Sequence, residues 1–169
     1  MDTLEAIYTR RSVRDFTNDP ISEVDIQDLL KAGMHAPSAK NEQPWHFIVI
    51  DDLDILHAIP SFHPYAKMLF EAPLAILVCS DQHLALKPAS WVQDCSAATQ
   101  NILLAAHAKG LGAVWLGVYP DEDRVEGMQT LLELPSNIRP MALVALGHPA
   151  SRPESLDRYD PSRVHHNGW

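Results

Sequence analysis

Apolar residues follow two patterns along this chain. Spacing of three or four residues, typical of a helix that buries one face, predicts helices over residues 2–10, 22–35, about 88–109 and 121–134, with one or two more over 53–70. Unbroken apolar runs, typical of strands covered on both faces, predict strands over 45–50, 74–79, 112–118 and 141–146. The pattern therefore predicts a mixed α and β fold.

The end of the chain lacks such periodicity. From about residue 150 onward the sequence contains Pro153 and Pro161 and few regularly spaced apolar residues, which predicts an extended tail. No repeat or linker divides the remainder, so we expect residues 1–169 to form a single domain.

Charge and cysteine content narrow the class of protein. The chain has 13 Lys plus Arg against 22 Asp plus Glu, a formal charge of −9, which disfavours nucleic-acid binding. No apolar stretch reaches the roughly 20 residues of a membrane helix, so no membrane partner is expected. Cys79 and Cys95 form no Cys-x-x-Cys pair and follow no apolar leader, from which we expect a cytoplasmic location.

Basic residues are concentrated in one short segment of this acidic chain. Arg10, Arg11 and Arg14 flank Ser12 at the end of the first predicted helix. Guanidinium groups bind phosphate oxygens in pairs, and a hydroxyl adds one more donor, so the segment suits a phosphate monoester. The alternative is an exposed cluster neutralised by neighbouring carboxylates, namely Asp15, Asp19 or Glu23.

Two further segments carry polar or glycine-rich chemistry. Residues 35–45 place Ser38, Asn41 and Gln43 between prolines, which suits either a planar heterocycle or a well-capped connection from helix to strand. Residues 110–117 do not match the Gly-x-Gly-x-x-Gly dinucleotide motif, because the third glycine is replaced by Trp115. Gly117, late in a predicted strand, indicates close approach of a ligand or of backbone.

Other site chemistry receives little support. His165 and His166 are adjacent in the predicted tail and would point in opposite directions, so no metal site is expected. Cys95 lies on the most apolar predicted helix and is expected to pack in the core. Phe62, Tyr65 and Trp91 are candidate walls of a pocket, and we expect at least two of them to lie in the core instead.

The ordered set of motifs is more specific than any one of them. In chain order they are Arg10-Arg11-Ser12-Val13-Arg14-x-Phe16, Ala36-Pro37-Ser38-Ala39-x-Asn41-x-Gln43-Pro44-Trp45, Gly110-Leu111-Gly112-x-x-Trp115 and Gly147-His148-Pro149. Together they resemble the flavin-dependent nitroreductase family over nearly the whole chain. The resemblance implies an α+β fold with a mixed central β-sheet flanked by helices, and a homodimer with one FMN in each of two sites at the subunit interface.

Matching the motifs position by position implies roles for individual residues. Arg10, Arg11 and Ser12 would hold the FMN phosphate and ribityl chain, with Arg158 as a further phosphate-binding cation, and Arg14 would approach the pyrimidine end of the ring. The backbone of Trp115, Leu116 and Gly117 would flank the ring. The partner subunit would reach the same flavin with four residues: His35, Pro37, Ser38 and Ala39.

The implied activity is that of an NAD(P)H oxidoreductase. In a ping-pong sequence, NADH or NADPH would reduce the flavin and leave, and a small electron-poor acceptor such as a nitroaromatic or quinone would then take two electrons. The flavin performs the chemistry, so no protein residue is assigned as acid, base or nucleophile. Two alternatives stay open. One is a reductase of another acceptor class, which reduces activated alkenes, removes halogens or reduces flavin itself. The other is a non-catalytic flavin-binding regulatory module.

Overall fold

After two consecutive helices, strands and helices alternate along the chain in a computed structural model that describes residues 1–87 and 89–169. The helices are α1 (Thr3–Thr9), α2 (Glu23–Met34), α3 (Leu53–Ala58), α4 (Ser90–Ala108) and α5 (Glu122–Leu131). The strands are β1 (Trp45–Ile50), β2 (Leu74–Asp81), β3 (Gly112–Gly117) and β4 (Ile138–Gly147). Short 3-10 turns lie at Ala39–Asn41, Ile59–Ser61, Lys67–Phe70 and Pro161–Arg163. None of the described helices is long and apolar enough to cross a membrane.

The predicted elements are confirmed, with differences at their ends. The predicted helical start near residue 88 lies outside the described residues. β4 begins three residues earlier than the predicted 141, because the strand continues through Pro140. Pro140 pairs with Cys79 beside a bulge at which the register with β2 shifts. A bulge accommodates a residue that has no backbone donor, and for that reason the proline does not end the strand.

The α+β class is confirmed, and one detail of the expected sheet is wrong. The strand order is β1-β2-β4-β3, and every pair of neighbours in the described sheet is antiparallel rather than mixed. β2 and β3, joined by the long helix α4, run in the same direction. They are not neighbours, however, because β4 lies between them and pairs antiparallel with both.

The sheet is covered on both faces, as the unbroken apolar runs predicted. Leu74, Ile76 and Val78 of β2 pack with α2 and α4 on one face, whereas alternate residues of the same strand pack with α3 and α5 on the other. Cys79 and Cys95 are buried, and burial raises the pKa of each thiol to about 12. Cys95 therefore packs as an inert core thiol, as expected.

The arginine-rich segment is fixed to the end of the sheet by one aromatic side chain. Phe16 is buried and forms an isolated bridge with Pro149. Gly112 and Gly147 face each other across β3 and β4. A Cβ atom on Gly147 would lie 2.8 Å from the Phe16 ring, and one on Gly112 would lie 2.7 Å from the Val13 side chain and 3.2 Å from that ring. The glycine pair thus forms a slot for Phe16.

Backbone hydrogen bonds on both sides of the slot complete the attachment. The Val13 amide donates to the Ala113 carbonyl at 3.0 Å, and the Thr17 amide donates to the His148 carbonyl at 2.9 Å. The Ala150 amide donates to the Asp15 carbonyl at 2.9 Å. The segment between α1 and α2 is therefore held by contacts with β3, β4 and the start of the tail.

Loss of the Phe16 ring should destabilise the protein. We expect Phe16→Ala to lower the free energy of unfolding by about 3 kcal/mol, because it empties a fully packed slot that two glycines cannot fill. Urea unfolding followed by circular dichroism measures the change. The matched control is Phe70→Ala, since Phe70 is 56% exposed. A Phe16→Ala midpoint equal to that of the control would contradict the slot as the anchor.

Candidate active site

A cavity of about 740 Å³ lies between the end of α1 and the tail. Three of the predicted site residues, Arg10, Arg11 and Arg158, line it together with Tyr8 and Tyr159. Ser12 follows directly in sequence and is half-buried. The structure therefore brings Arg158 of the tail to the arginine segment, as the sequence motifs implied.

The cations of this cavity repel one another. Burial lowers the pKa of Arg10, and the positive charges of Arg11 and Arg158 lower it further. Asp157 also lines the cavity, with its carboxylate accepting from the Tyr159 amide at 3.0 Å. In the described chain no carboxylate forms an ion pair with any of the three arginines.

The alternative of a locally neutralised cluster is therefore not what the structure shows. The Asp15 carboxylate accepts from the Ser151 hydroxyl at 2.8 Å, and the Asp19 carboxylate accepts from the Thr17 hydroxyl at 2.8 Å. Partly buried like charges without a counterion favour the binding of an anion. A phosphate monoester has a charge near −2, which the arginines of this cavity would neutralise.

Arg11 is already engaged by the backbone. Its guanidinium donates to the carbonyls of Tyr8 (3.1 Å), Arg10 (2.7 Å), Glu154 (3.2 Å) and Leu156 (2.8 Å). A guanidinium has five N–H groups, so one is left for a ligand. Arg11 thus fixes the tail beside Arg10, and direct phosphate binding by Arg11 stays a prediction that rests on that one donor.

A second cavity, of about 460 Å³, collects the remaining predicted residues of this half of the site. Arg14 lines it together with Trp115, Leu116 and Gly117, and the remaining wall comes from residues 63–65, 67 and 68. Tyr65 belongs to that wall, while Phe62 packs on Gly127 and Trp91 packs edge-on against Tyr119. Trp91 is buried in the core and Phe62 is partly buried against it, as expected of at least two of the three candidate aromatics.

Gly117 differs from the two glycines of the Phe16 slot. A Cβ atom at Gly117 would meet no atom of the described chain within 4 Å, and the residue is exposed at the end of β3. Packing within the chain therefore gives no reason for glycine at this position. The open space beside its backbone, next to Arg14, suits the edge of a planar ligand.

Two residues that the sequence did not single out hold the Gly117 carbonyl. His63 Nε2 lies 2.9 Å from this oxygen, and Arg124 Nη1 donates to it at 3.0 Å. His63 is only 1% exposed. Burial lowers its pKa, the hydrogen bond to Gly117 opposes that shift, and the positive charge of Arg124 adds to it. An isolated histidine and an isolated arginine carry no motif, so only the fold reveals them.

The segment His35, Pro37, Ser38 and Ala39 lies elsewhere in the chain. The Ala39 amide donates to the buried carboxylate of Asp94 on α4 at 2.9 Å, and Ser38 Oγ accepts from the Gln43 amide at 3.1 Å. Neither of the two cavities lined by the site arginines includes a described residue of 35–39. Within one chain these hydrogen bonds fix the segment as a connection between α2 and β1.

The chain matches known proteins over nearly its whole length. The model of the nitroreductase family matches residues 7–62 and 60–148. A protein of Methanothermobacter thermautotrophicus, provisionally named NADH dehydrogenase/NAD(P)H nitroreductase, is 52% identical over 169 residues, which cover 100% of this chain and 88% of that protein.

Solved structures share the fold. A provisionally named NADH dehydrogenase/NAD(P)H nitroreductase from Parabacteroides distasonis superposes with a TM-score of 0.95 at 42% identity, covering 99% of this chain and 98% of its own. A provisionally named nitroreductase from Desulfovibrio desulfuricans, solved in complex with FMN, superposes with a TM-score of 0.85 at 33% identity, covering 100% and 99%.

Inorganic phosphate should stabilise the protein through the arginine cavity. We expect phosphate at about ten times its Kd to raise stability by about 1.4 kcal/mol, which corresponds to ~3–5 °C in Tm for a domain of this size. Thermal unfolding in the presence of increasing phosphate, at constant ionic strength, measures the effect.

The variant Arg10→Gln should lose most of this response, whereas Lys31→Gln removes the same charge from an exposed side chain on α2 and should keep it. An equal response in Arg10→Gln and Lys31→Gln would mean that the cavity does not bind the anion.

Proposed function

Because the chain belongs to the nitroreductase family, we propose that it is an FMN-dependent oxidoreductase that takes two electrons from NADH or NADPH and passes them to a small electron-poor acceptor, such as a nitroaromatic or a quinone. One observation carries the proposal: a single segment, residues 10–14, lines both the arginine cavity, where no described carboxylate pairs with an arginine, and the open strand edge at Gly117.

The arginine cavity would hold the phosphate end of FMN. Arg10 and Arg158 supply full positive charges, Ser12 supplies a hydroxyl, and Arg11 supplies the one N–H that is not bound to a carbonyl. Removing a phosphate from water costs much free energy unless its charge is compensated. Two or three guanidinium groups provide that compensation with directed hydrogen bonds.

The second cavity would take the ring end. When bound, FMN supplies the two-electron redox chemistry. The task of Arg14 is electrostatic, because a fixed cation at the pyrimidine end stabilises the negative charge that reduction adds. The backbone of Trp115, Leu116 and the exposed Gly117 would flank the ring, without a side chain at residue 117 to obstruct it.

The other wall of the flavin site would come from a second copy of the chain. Neither of the two cavities lined by the site arginines includes the four residues His35, Pro37, Ser38 and Ala39 of the same chain. Their predicted contact with FMN therefore requires a homodimer with sites at the subunit interface. The Asp94 carboxylate, by accepting from the Ala39 amide, would fix this segment for the partner.

We propose a ping-pong order of substrates. With the ring end of FMN in the cavity beside Gly117, donor and acceptor would contact the same uncovered face of the ring in turn rather than together. We propose that residues 1–169 act as a single domain, and the cytoplasmic location stays a prediction that rests on the two buried, unpaired thiols.

Purified protein should show the visible absorption of oxidised flavin. Under anaerobic conditions, NADH or NADPH should bleach these bands, and a nitroaromatic or quinone should then restore them, because the site exchanges two electrons with each in turn. Anaerobic spectrophotometry with each dinucleotide in turn makes the measurement. Protein that binds FMN but is bleached by neither dinucleotide would be a flavin-binding module without this activity.

Hybrid dimers should show that two chains build one site. We expect Arg10→Glu and Pro37→Trp homodimers each to lose FMN, the first through charge reversal and the second because the exposed Pro37 becomes a bulky side chain on the partner's wall. In a hybrid of the two variants, one site carries both changes and the other neither, so about half of the wild-type flavin content should return.

Separately tagged chains and tandem purification isolate the hybrid, with a wild-type hybrid carrying the same tags as the control. If each site came from one chain alone, both sites of the hybrid would be defective and its flavin content would not recover.

A further inference from the structure

The carbonyl of Gly117 receives hydrogen bonds from two separate parts of the fold. His63 follows the 3-10 turn after α3, and Arg124 lies in the first turn of α5. Their nitrogens lie 2.9 Å and 3.0 Å from the Gly117 oxygen. A strand-end carbonyl needs only one donor to be satisfied, so a second donor from another element constrains the direction of this peptide.

The buried imidazole has a defined protonation pattern. A carbonyl oxygen only accepts hydrogen bonds, so Nε2 of His63 must carry the proton that it donates. The other ring nitrogen, Nδ1, is buried without a hydrogen-bond partner in the described chain. Burial and the positive charge of Arg124 disfavour a second proton on this ring and lower its pKa, although the His63 backbone and the negative charge of Asp121 act in the opposite direction. The environment therefore favours a neutral ring with its proton on Nε2.

Arg124 is itself held in place. Its guanidinium forms an ion pair with Asp121 at 3.1 Å and lies 5.3 Å from the centre of the Tyr65 ring. Tyr65 and His63 line the same cavity as Arg14. His63 thus lines the cavity, and Arg124 contacts it through Tyr65. The N–H groups that both residues donate to Gly117 are used in those hydrogen bonds.

The direction of this carbonyl matters for a ligand that gains negative charge. A carbonyl oxygen carries a partial negative charge, and turned toward a reduced ring it would oppose reduction. Two donors that hold the oxygen and share its charge remove that penalty before the reaction begins, which is the general advantage of preorganised dipoles.

We propose that His63 is a positioning residue that, together with Arg124, fixes the Gly117 carbonyl, shares its partial negative charge and so favours the reduced cofactor. The proposal rests on the proposed function, since it requires the flavin ring to lie beside Gly117. The geometric part of it can be tested without flavin or substrate.

The first test uses the flavin-free protein. Nitrogen-15 NMR of the imidazole should show His63 as the neutral ring protonated at Nε2, with a proton that exchanges slowly and a shift that moves in Arg124→Met. His57, on an α3 position facing Phe70 at 5.4 Å, provides an internal comparison. A rapidly exchanging His63 proton, or a charged ring at neutral pH, would overturn the proposal.

The second test measures the reduction equilibrium of FMN-loaded variants against a reference dye. Loss of one hydrogen bond to the carbonyl should shift the ratio of reduced to oxidised flavin about two- to tenfold toward oxidised in His63→Leu. His63→Gln, whose amide restores a donor, should recover most of the shift, and Arg124→Met should move the ratio in the same direction as His63→Leu.

A purely structural role predicts a different result. It predicts that His63→Leu and His63→Gln lower Tm or flavin content while the reduction ratio of the bound fraction stays at the wild-type value, and that result would overturn the proposal. If wild-type protein holds FMN that neither NADH nor NADPH reduces, the proposed function fails, but dye equilibration still measures the effect of His63. The two failures are therefore distinguishable.

Discussion

The insertion of Phe16 between Gly112 and Gly147 is the constraint on which the site depends. It fixes the middle of an otherwise irregular segment to the ends of β3 and β4. From that point the arginines diverge: Arg10 lies in the cavity beside the tail, and Arg14 lies in the cavity beside Gly117. One buried aromatic ring therefore sets the separation between the place for an anion and the place for a planar ring.

Electrostatics explains why such an anchor is needed. Arg10, Arg11 and Arg158 are brought together without a described carboxylate partner in a chain whose formal charge is −9. Repulsion among them would spread a loop that was attached only by its own charges. Backbone hydrogen bonds and the Phe16 slot hold the segment, while the four carbonyls around Arg11 secure the tail. Apolar packing offsets the repulsion among the three cations, and binding of an anion would relieve that repulsion and stabilise the fold.

Sequence pattern predicted the elements well and their neighbours poorly. Apolar runs such as 74–79 identify a strand covered on both faces, but they do not say which strand lies beside it, so the insertion of β4 between β2 and β3 was not foreseen. The start of β4 could not be predicted because of Pro140. A proline inside a strand is accommodated beside a bulge, and whether a bulge forms depends on the partner strand. The two contacts of Arg11 with the tail span 143 and 145 positions of sequence, and the contact of His63 with Gly117 spans 54. No local sequence pattern indicates contacts over such separations.

The glycines separate what the fold requires from what a ligand requires. At Gly112 and Gly147 a methyl group would collide with Val13 or Phe16, so the fold alone accounts for both residues. At Gly117 a methyl group would meet no described atom within 4 Å, and yet the carbonyl of this residue is fixed by two donors from different elements. A backbone position that is rigidly held but left uncovered gains nothing for stability from being a glycine, since glycine in a strand weakens it. The arrangement is understandable when the space above the strand edge belongs to a ligand, and Arg14 beside it then gives that ligand its electrostatic environment.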